Sequence, residues 1–176
     1  MKFIDQLKEK AKQNKKTIVL PETSDMRTIE AAGKVLAEGI ANIILVGDKE
    51  DIMSRAGDID LSGASFVDPK NYEKFDEYVD AFVEMRRKKG MTEARAKELL
   101  LTNPLYFGCM MVKQDDADGM VAGAINASAD VLRAALQTLK TAPGTRIVSA
   151  FFLVVVPDCQ YGANGTFVFA DAGLNQ

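Results

Sequence analysis

At 176 residues with 47% hydrophobic content, the chain has the length of one ordinary domain or a little more, and enough apolar side chains for a sizeable core. Its 25 acids against 22 bases give a net charge of −3. The Lys and Arg residues are scattered instead of forming a stripe, which argues against nucleic acid as a partner. There is no histidine, so Ser-His and Cys-His mechanisms are excluded within the chain. Any general base must be Asp, Glu, Lys, Tyr or Cys.

The N-terminal stretch MKFIDQLKEKAKQNKK mixes charges with Phe3, Ile4, Leu7 and Ala11 on one face, which predicts a helix over Phe3–Gln13 and lacks the apolar run of a signal peptide. Thr17 to Leu20 (TIVL) is β-branched and apolar and ends at Pro21, as a buried strand does. The PETSD segment offers Ser24 or Asp25 as N-cap for a helix Met26–Glu38 with Ile29, Ala32, Val35 and Leu36 inward, and Gly39 as C-cap. Asn42 to Val46 (NIILV) completes a β-α-β unit with parallel strands. A short helix Lys49–Ala56 and a short strand Ser65–Val67 follow. Alternating β and α elements imply an α/β fold, a parallel sheet with helices on both faces in three layers.

Asp68-Pro69 interrupts this rhythm. A charged helix Tyr72–Lys88, a helix Glu93–Leu101 capped by Thr92, and a third opened by Asn103-Pro104 and containing Phe107, Met110 and Met111 read as a small helical excursion. The stretch DGMVAGAINASADVLRAALQTLKT (Asp118 to Thr141) then restores the β-α order. Met120, Val121 and Ala122 are expected as a buried strand, Gly123-Ala124 as a turn, and Asn126 and Ser128 as a polar tip. Val131, Leu132, Ala135, Leu136 and Leu139 form the apolar stripe of the next helix. A strand passing through small residues into a helix start leaves N–H groups at the positive end of the helix dipole, where an anion is favoured. Arg133, off the stripe, is placed to clamp a phosphate with two hydrogen bonds. The same pattern also suits an ordinary connection with a solvated arginine. Ile147 to Val156 reads as a central strand, Pro157 to Asn164 as a loop, Thr166 to Ala170 as a further strand, and the final DAGLNQ as turn chemistry preceding a helix.

Cys109 and Cys159 suit a reducing compartment and have no zinc-like spacing. Cys109, within FGCMM, reads as a small core hydrophobe and not a nucleophile. Asp115, Asp116 and Asp118 read as solvated or capping acids, with no calcium-loop spacing, so no metal site is expected. Glu22 and Asp25 stand at the C-terminal end of the first strand, the edge where open α/β sheets bind ligands; capping is the expected role of Asp25. The longest apolar run, Ala150 to Val156, is too short to span a bilayer, and a cytoplasmic protein without a membrane partner is expected.

In order, IVLPETSDMRTIEAA (Ile18 to Ala32), KKGMTEARA (Lys88 to Ala96), NPLYFGCMMVKQDDADGMVAGAINASADVLRAALQTLKT (Asn103 to Thr141) and VPDCQYGANGTFVFADAGLNQ (Val156 to Gln176) resemble the phosphate acetyltransferase (phosphotransacetylase) family from end to end. The resemblance implies transfer of an acetyl group between acetyl phosphate and coenzyme A, with CoA as a substrate, no covalently bound cofactor, two α/β domains around a cleft, and homodimers at full length. It implies that the chain matches the N-terminal half of a longer enzyme: residues 1–148 as the first domain and 149–176 as the start of a truncated second. The family's catalytic Ser-Arg-Asp group, with the Asp proposed to deprotonate the CoA thiol, would lie beyond Gln176. No catalytic residue is therefore assigned here.

By the same resemblance, Asn126, Ser128 and Arg133 belong to the phosphate side of the cleft, and Arg86 or its neighbour Arg87 to CoA binding; two solvated arginines on a charged helix are the alternative. Where relatives commonly read Ser-Thr ahead of the Ala-Asp or Gly-Asp pair, this chain has Ala127-Ser128, so one hydroxyl is lost. A hydrogen bond to a charged group is worth about 1.5–3 kcal/mol. Two other readings share the resemblance. One is a non-catalytic acetyl-CoA or phosphate-binding module, of the kind fused to malic enzymes; the other is phosphate butyryltransferase.

Overall fold

The structure, a computed structural model, describes residues 3–170. Its elements in chain order are α1 (Phe3–Gln13), β1 (Thr17–Leu20), α2 (Met26–Glu38), β2 (Asn42–Val46), α3 (Lys49–Ala56), β3 (Ser65–Val67), α4 (Phe75–Arg86), α5 (Glu93–Thr102), α6 (Pro104–Lys113), β4 (Gly119–Met120), α7 (Ser128–Thr138), β5 (Phe151–Val155) and β6 (Thr166–Ala170). Leu7–Lys140 form one compact unit, and the described residues on either side of it belong to a second. The DAGLNQ segment lies outside the described residues.

The larger unit is built on a four-stranded sheet in the order β3-β2-β1-β4. All three pairings are parallel, with Val19 opposite both Ile44 and Met120, and Leu45 opposite Phe66. Successive side chains of a strand point to opposite faces, and both faces of this sheet are apolar. Val19, Ile44 and Val46 enter a core with Tyr78, Phe82, Leu100, Phe107, Met110 and Ala134. Leu20, Ile43 and Leu45 enter another with Ile29, Ala32, Ile52 and Leu61. Helices α2 and α3 therefore cover one face and α4 to α7 the other, which gives the expected three layers. The consecutive helices α4 to α6, expected as an excursion, supply a layer. At about 1.5–3 kcal/mol for each large apolar side chain buried, these two cores hold the sheet in place.

The caps follow the sequence. Asp25 accepts from the Arg27 N–H at 2.8 Å, and Gly39 ends α2 in the left-handed conformation at φ 67°. Thr92 caps α5 and Asn103 caps α6. Gly108 lets α6 approach the sheet: a Cβ there would stand 2.8 Å from Met120 Sδ and 3.3 Å from Val19 Cγ1.

Four boundaries differ from expectation. The charged helix begins at Phe75, because Asp68 caps a 3₁₀ turn over Pro69–Asn71, and it ends at Arg86, with Arg87–Lys89 in another 3₁₀ turn closed by Gly90 at φ 75°. Strand β4 stops at Met120; the Val121 N–H still reaches Val19 O at 3.0 Å, but its side chain is 62% exposed, because the backbone then leaves the ladder. The buried face of α7 centres on Ala134 and Thr138, and Leu136 is exposed, so the expected stripe is rotated toward α6. Thr138 tolerates burial because its hydroxyl donates to Ala134 O.

The fourth concerns β5. Expected as a central strand over Ile147 to Val156, it is Phe151–Val155, paired antiparallel with β6 in a two-stranded sheet of its own. Phe151, Phe152, Val168 and Phe169 are exposed. A continuous apolar run signals a strand meant for cover on both faces, and carries no information about which strand pairs with it.

Candidate functional site

The chain lays down β1, β2 and β3 in one direction across the sheet and then returns to place β4 on the other side of β1. The connections after β1 and β4 therefore diverge, and a crevice opens beyond their C-terminal ends, where open α/β sheets bind ligands. Here it is an apolar crevice of about 200 Å³ lined by residues that include Leu20, Glu22, Arg27 and Ala122. A larger concavity of about 490 Å³ lies beyond β2 and β3, between Gly47–Lys49 and Phe66–Glu73. It contains none of the expected site residues.

Glu22 dominates the crevice. Its side chain is 2% exposed, and its carboxylate accepts from the N–H groups of Gly123 at 2.6 Å and Ala124 at 2.7 Å on Oε2. The N–H groups of Ile125 at 3.2 Å and Asn126 at 2.9 Å, and Asn126 Nδ2 at 2.7 Å, donate to Oε1. Burial pushes this carboxyl up, but the Asn126 side chain and the backbone donors outweigh it and hold the group below its ordinary value. The loop's carbonyl side is tied as well: Arg27, paired with Asp25, donates through Nη2 to Ala124 O. Next to Glu22, the buried Thr23 hydroxyl donates to Val46 O at 2.6 Å and locks the β1 exit to β2.

The anion-favouring loop expected from the sequence is thus present, with an internal carboxylate in its cradle. Asn126, expected among the phosphate donors, has both nitrogens on Glu22 instead. The open donors begin at α7. Ala127 takes the N-cap position without a side-chain hydrogen bond, and its carbonyl accepts from Asp130 and Val131. Ser128, in the first turn, is exposed. Arg133, in the second turn, is exposed and pairs with Asp130 through Nη1.

The two arginine candidates separate sharply. Arg87 is a surface residue paired with Glu84 at 2.7 Å. Arg86, in the last turn of α4, carries a buried Nε with no hydrogen-bond partner among the described residues. Helix α7, which carries Arg133, packs against α6, which carries Tyr106, and against α4, which carries Arg86. Burial raises the Tyr106 hydroxyl above its ordinary ionisation value, and the charges of Arg133 and Arg86 pull it the other way. The hydroxyl itself donates to Gln137 Oε1 at 3.1 Å. Arg86 and Arg133 therefore stand on packed neighbouring helices, and the Nε of Arg86 is buried without an acceptor. A guanidinium nitrogen left without a partner suits an anionic acceptor.

The remaining polar candidates have local partners. Asp116 accepts from Tyr78 at 2.5 Å, from Tyr72 at 3.1 Å and from Lys74; burial pushes it up, and these donors bring it below its ordinary value. Asp118 accepts the Thr17 N–H and pairs with Lys16 at the opposite end of β1 from the crevice. Burial pushes the Cys109 thiol up, so it stays protonated as a core side chain. Sequence reasoning had placed Glu22 at the ligand edge without a role. Its signal was an acid two residues past a buried strand; its donors come from a loop 101 to 104 residues away.

The comparisons with known proteins agree with this geometry. A family model described as phosphate acetyl/butaryl transferase matches residues 2–176. The chain is 54% identical over 174 residues to a phosphate acetyltransferase of Acetivibrio thermocellus and 52% identical over 175 residues to one of Thermoanaerobacterium thermosaccharolyticum, covering 99% of this chain in both alignments. It spans about half the length of these curated relatives, 52% and 53%. Among solved structures, the EutD phosphotransacetylase from Staphylococcus aureus superposes with a TM-score of 0.83 and a phosphotransacetylase from Streptococcus pyogenes with 0.85, each at 34% identity over 98% of this chain. Those structures are matched over 50% and 52% of their own lengths. With a matching family model over nearly every residue and the fold of two solved phosphotransacetylases, the chain belongs to the phosphate acetyl/butaryl transferase family.

Proposed function

We propose that the protein transfers an acetyl group between acetyl phosphate and coenzyme A, and that these residues supply the phosphate side of the site. The observation that carries the reading is the uncapped start of α7 with Ser128 and Arg133 exposed in its first two turns, beside α4, where the buried Nε of Arg86 is left without an acceptor. In this reaction the CoA thiolate attacks the acetyl carbonyl and phosphate departs with the bonding electrons. Negative charge grows on the carbonyl oxygen and on the leaving phosphate, where fixed donors lower the barrier. Arg133 and the Ser128 hydroxyl hold the phosphate, Asn126 fixes the loop by its bonds to Glu22, and Arg86, in preference to the surface-paired Arg87, holds an anionic group of CoA. The thiol's base lies outside these residues. Residues 1–148 form the first domain and 149–176 open a second, a division supported by the separate sheet of β5 and β6. The reading extends to a cytoplasmic location and to a homodimer at full length. Among the described residues no helix is long and apolar enough to cross a membrane.

The test is acetyl-CoA formation from acetyl phosphate and CoA by the purified chain, with CoA and phosphate binding followed by calorimetry. Binding of both that weakens at least tenfold in Arg133→Ala for phosphate and in Arg86→Ala for CoA supports the reading. Arg133 is exposed and its ion pair with Asp130 contributes at most about 1 kcal/mol to stability, so loss of binding in a normally folded Arg133→Ala variant reports the site. Binding of neither ligand by the wild-type chain would overturn it.

A further inference from the structure

The N–H groups of Gly123, Ala124, Ile125 and Asn126 point at one place, and Glu22 already occupies it. A cradle of successive backbone N–H groups is an anion-binding shape, so this chain has placed one of its own carboxylates where a phosphate oxygen would otherwise sit. That arrangement has two consequences. The loop cannot lend these donors to a ligand while Glu22 is in place. It also cannot collapse, because its N–H groups are pinned from beneath and its Ala124 carbonyl is pinned by Arg27. The first backbone positions beyond the cradle belong to the uncapped start of α7.

We propose that Glu22 is a positioning residue: its carboxylate fills the Gly123–Asn126 cradle, fixes the loop that launches α7, and so directs an incoming phosphate past the cradle to Ser128 and Arg133. The inference rests on the reading of Ser128 and Arg133 as the phosphate side of the site. Glu22 itself touches no substrate. Its hold on the loop spans the crevice at the point where the strand order reverses, so the ends of β1 and β4 and the start of α7 are set by one side chain.

The experiment compares the wild-type chain with Glu22→Gln and Glu22→Ala by residue-resolved amide hydrogen exchange and by titration with inorganic phosphate. In Glu22→Gln, which keeps the shape but puts an NH₂ group among donors, the amides of Gly123 to Asn126 are expected to exchange at least tenfold faster. Those of Val19 and Ile44 in the sheet should keep their wild-type rates. Phosphate affinity is expected to fall at least tenfold in the same variant, with Arg133 intact. Loop amides at wild-type rates would overturn the proposal, as would acceleration spread evenly over the sheet, which would make Glu22 a general stability residue. Tighter phosphate binding in Glu22→Ala would overturn it in another way, by showing that the cradle is the phosphate site and Glu22 its competitor. A wild-type chain that binds no phosphate would sink the anion site itself, and the loop exchange rates would then judge the hold of Glu22 on the loop alone.

Discussion

Ala127 is the position at which the start of α7 departs from a good helix start, and Ala127→Ser is the substitution that tests it. Its backbone already has the extended conformation of an N-cap, φ −63° and ψ 147°. Its carbonyl already accepts from Asp130 at 2.9 Å and Val131 at 3.2 Å, and it is exposed, so an added hydroxyl meets no packed neighbour. What it lacks is a side-chain oxygen for the N–H groups of the first turn. Supplying one at an N-cap is worth about 1 kcal/mol, within a range of ~0.5–2. For a chain of this length that corresponds to a rise of about 2–4 °C in the thermal midpoint. The assay is thermal unfolding followed by circular dichroism for wild type, Ala127→Ser and Ala127→Val; the valine adds a β-branched side chain without an acceptor. Only the serine variant should gain. If the site lies at the start of α7, the new hydroxyl should also tighten phosphate binding by about tenfold, the lower end of what a hydrogen bond to a charged group contributes. A serine variant no more stable than the valine variant would refute the reasoning about the missing cap.

Three further outcomes follow from the same geometry. Glu22 and Asp116 are both held below their ordinary values of 4.5 and 3.8, so the stability they contribute is complete above those values and is lost as pH falls through the depressed ones. The urea midpoint of the wild type should therefore fall more steeply between about pH 5 and about pH 3 than that of Glu22→Gln; equal slopes would show that Glu22 carries none of it. Gly108→Ala forces a methyl group against Met120 Sδ and Val19 Cγ1 and should cost about 1–3 kcal/mol by overpacking, read in denaturant unfolding, with Met120→Ala in the same chain recovering part of the loss. Phe152 and Phe169 face each other across β5 and β6 and are 61% and 53% exposed. Exposed apolar surface of this kind drives association, so the isolated chain should sediment as oligomers and the double variant Phe152→Thr, Phe169→Thr should shift it toward monomer.

The first half of the sheet was legible because local signals agreed. TIVL and NIILV are too apolar for any place but a sheet covered on both faces, and cap chemistry bracketed α2 between Ser24 or Asp25 and Gly39, with Asp25 the cap in the structure. The site was legible only in outline. The small-residue loop and Arg133 fitted either an anion-favouring helix start or an ordinary connection, and nothing local distinguishes donors aimed at a ligand from donors aimed at the chain's own Glu22. Nor does the charged end of α4 show which of Arg86 and Arg87 turns inward; that depends on where the 3₁₀ turn after Arg86 begins, a difference of one residue. The β5 error has the same origin, since a run of apolar residues states a need for cover and leaves the neighbour unnamed.

The division of donors at the switch point follows from a requirement that any such loop must meet. Backbone N–H groups held away from water need acceptors, and a loop that leaves the ladder at Met120 gives up the strand partners that would otherwise supply them. Each lost acceptor for a buried donor would cost about 1–3 kcal/mol, so a loop offering several such donors to a ligand alone would lose its shape whenever the ligand left. Glu22 removes that dependence by satisfying Gly123 to Asn126 permanently. The open groups are then confined to the exposed first turns of α7, where water can satisfy them at small cost. On the proposed reading phosphate binds and leaves in every turnover, which calls for a rigid support and exchangeable contacts, and the two would then fall to consecutive stretches of one loop, on either side of Ala127.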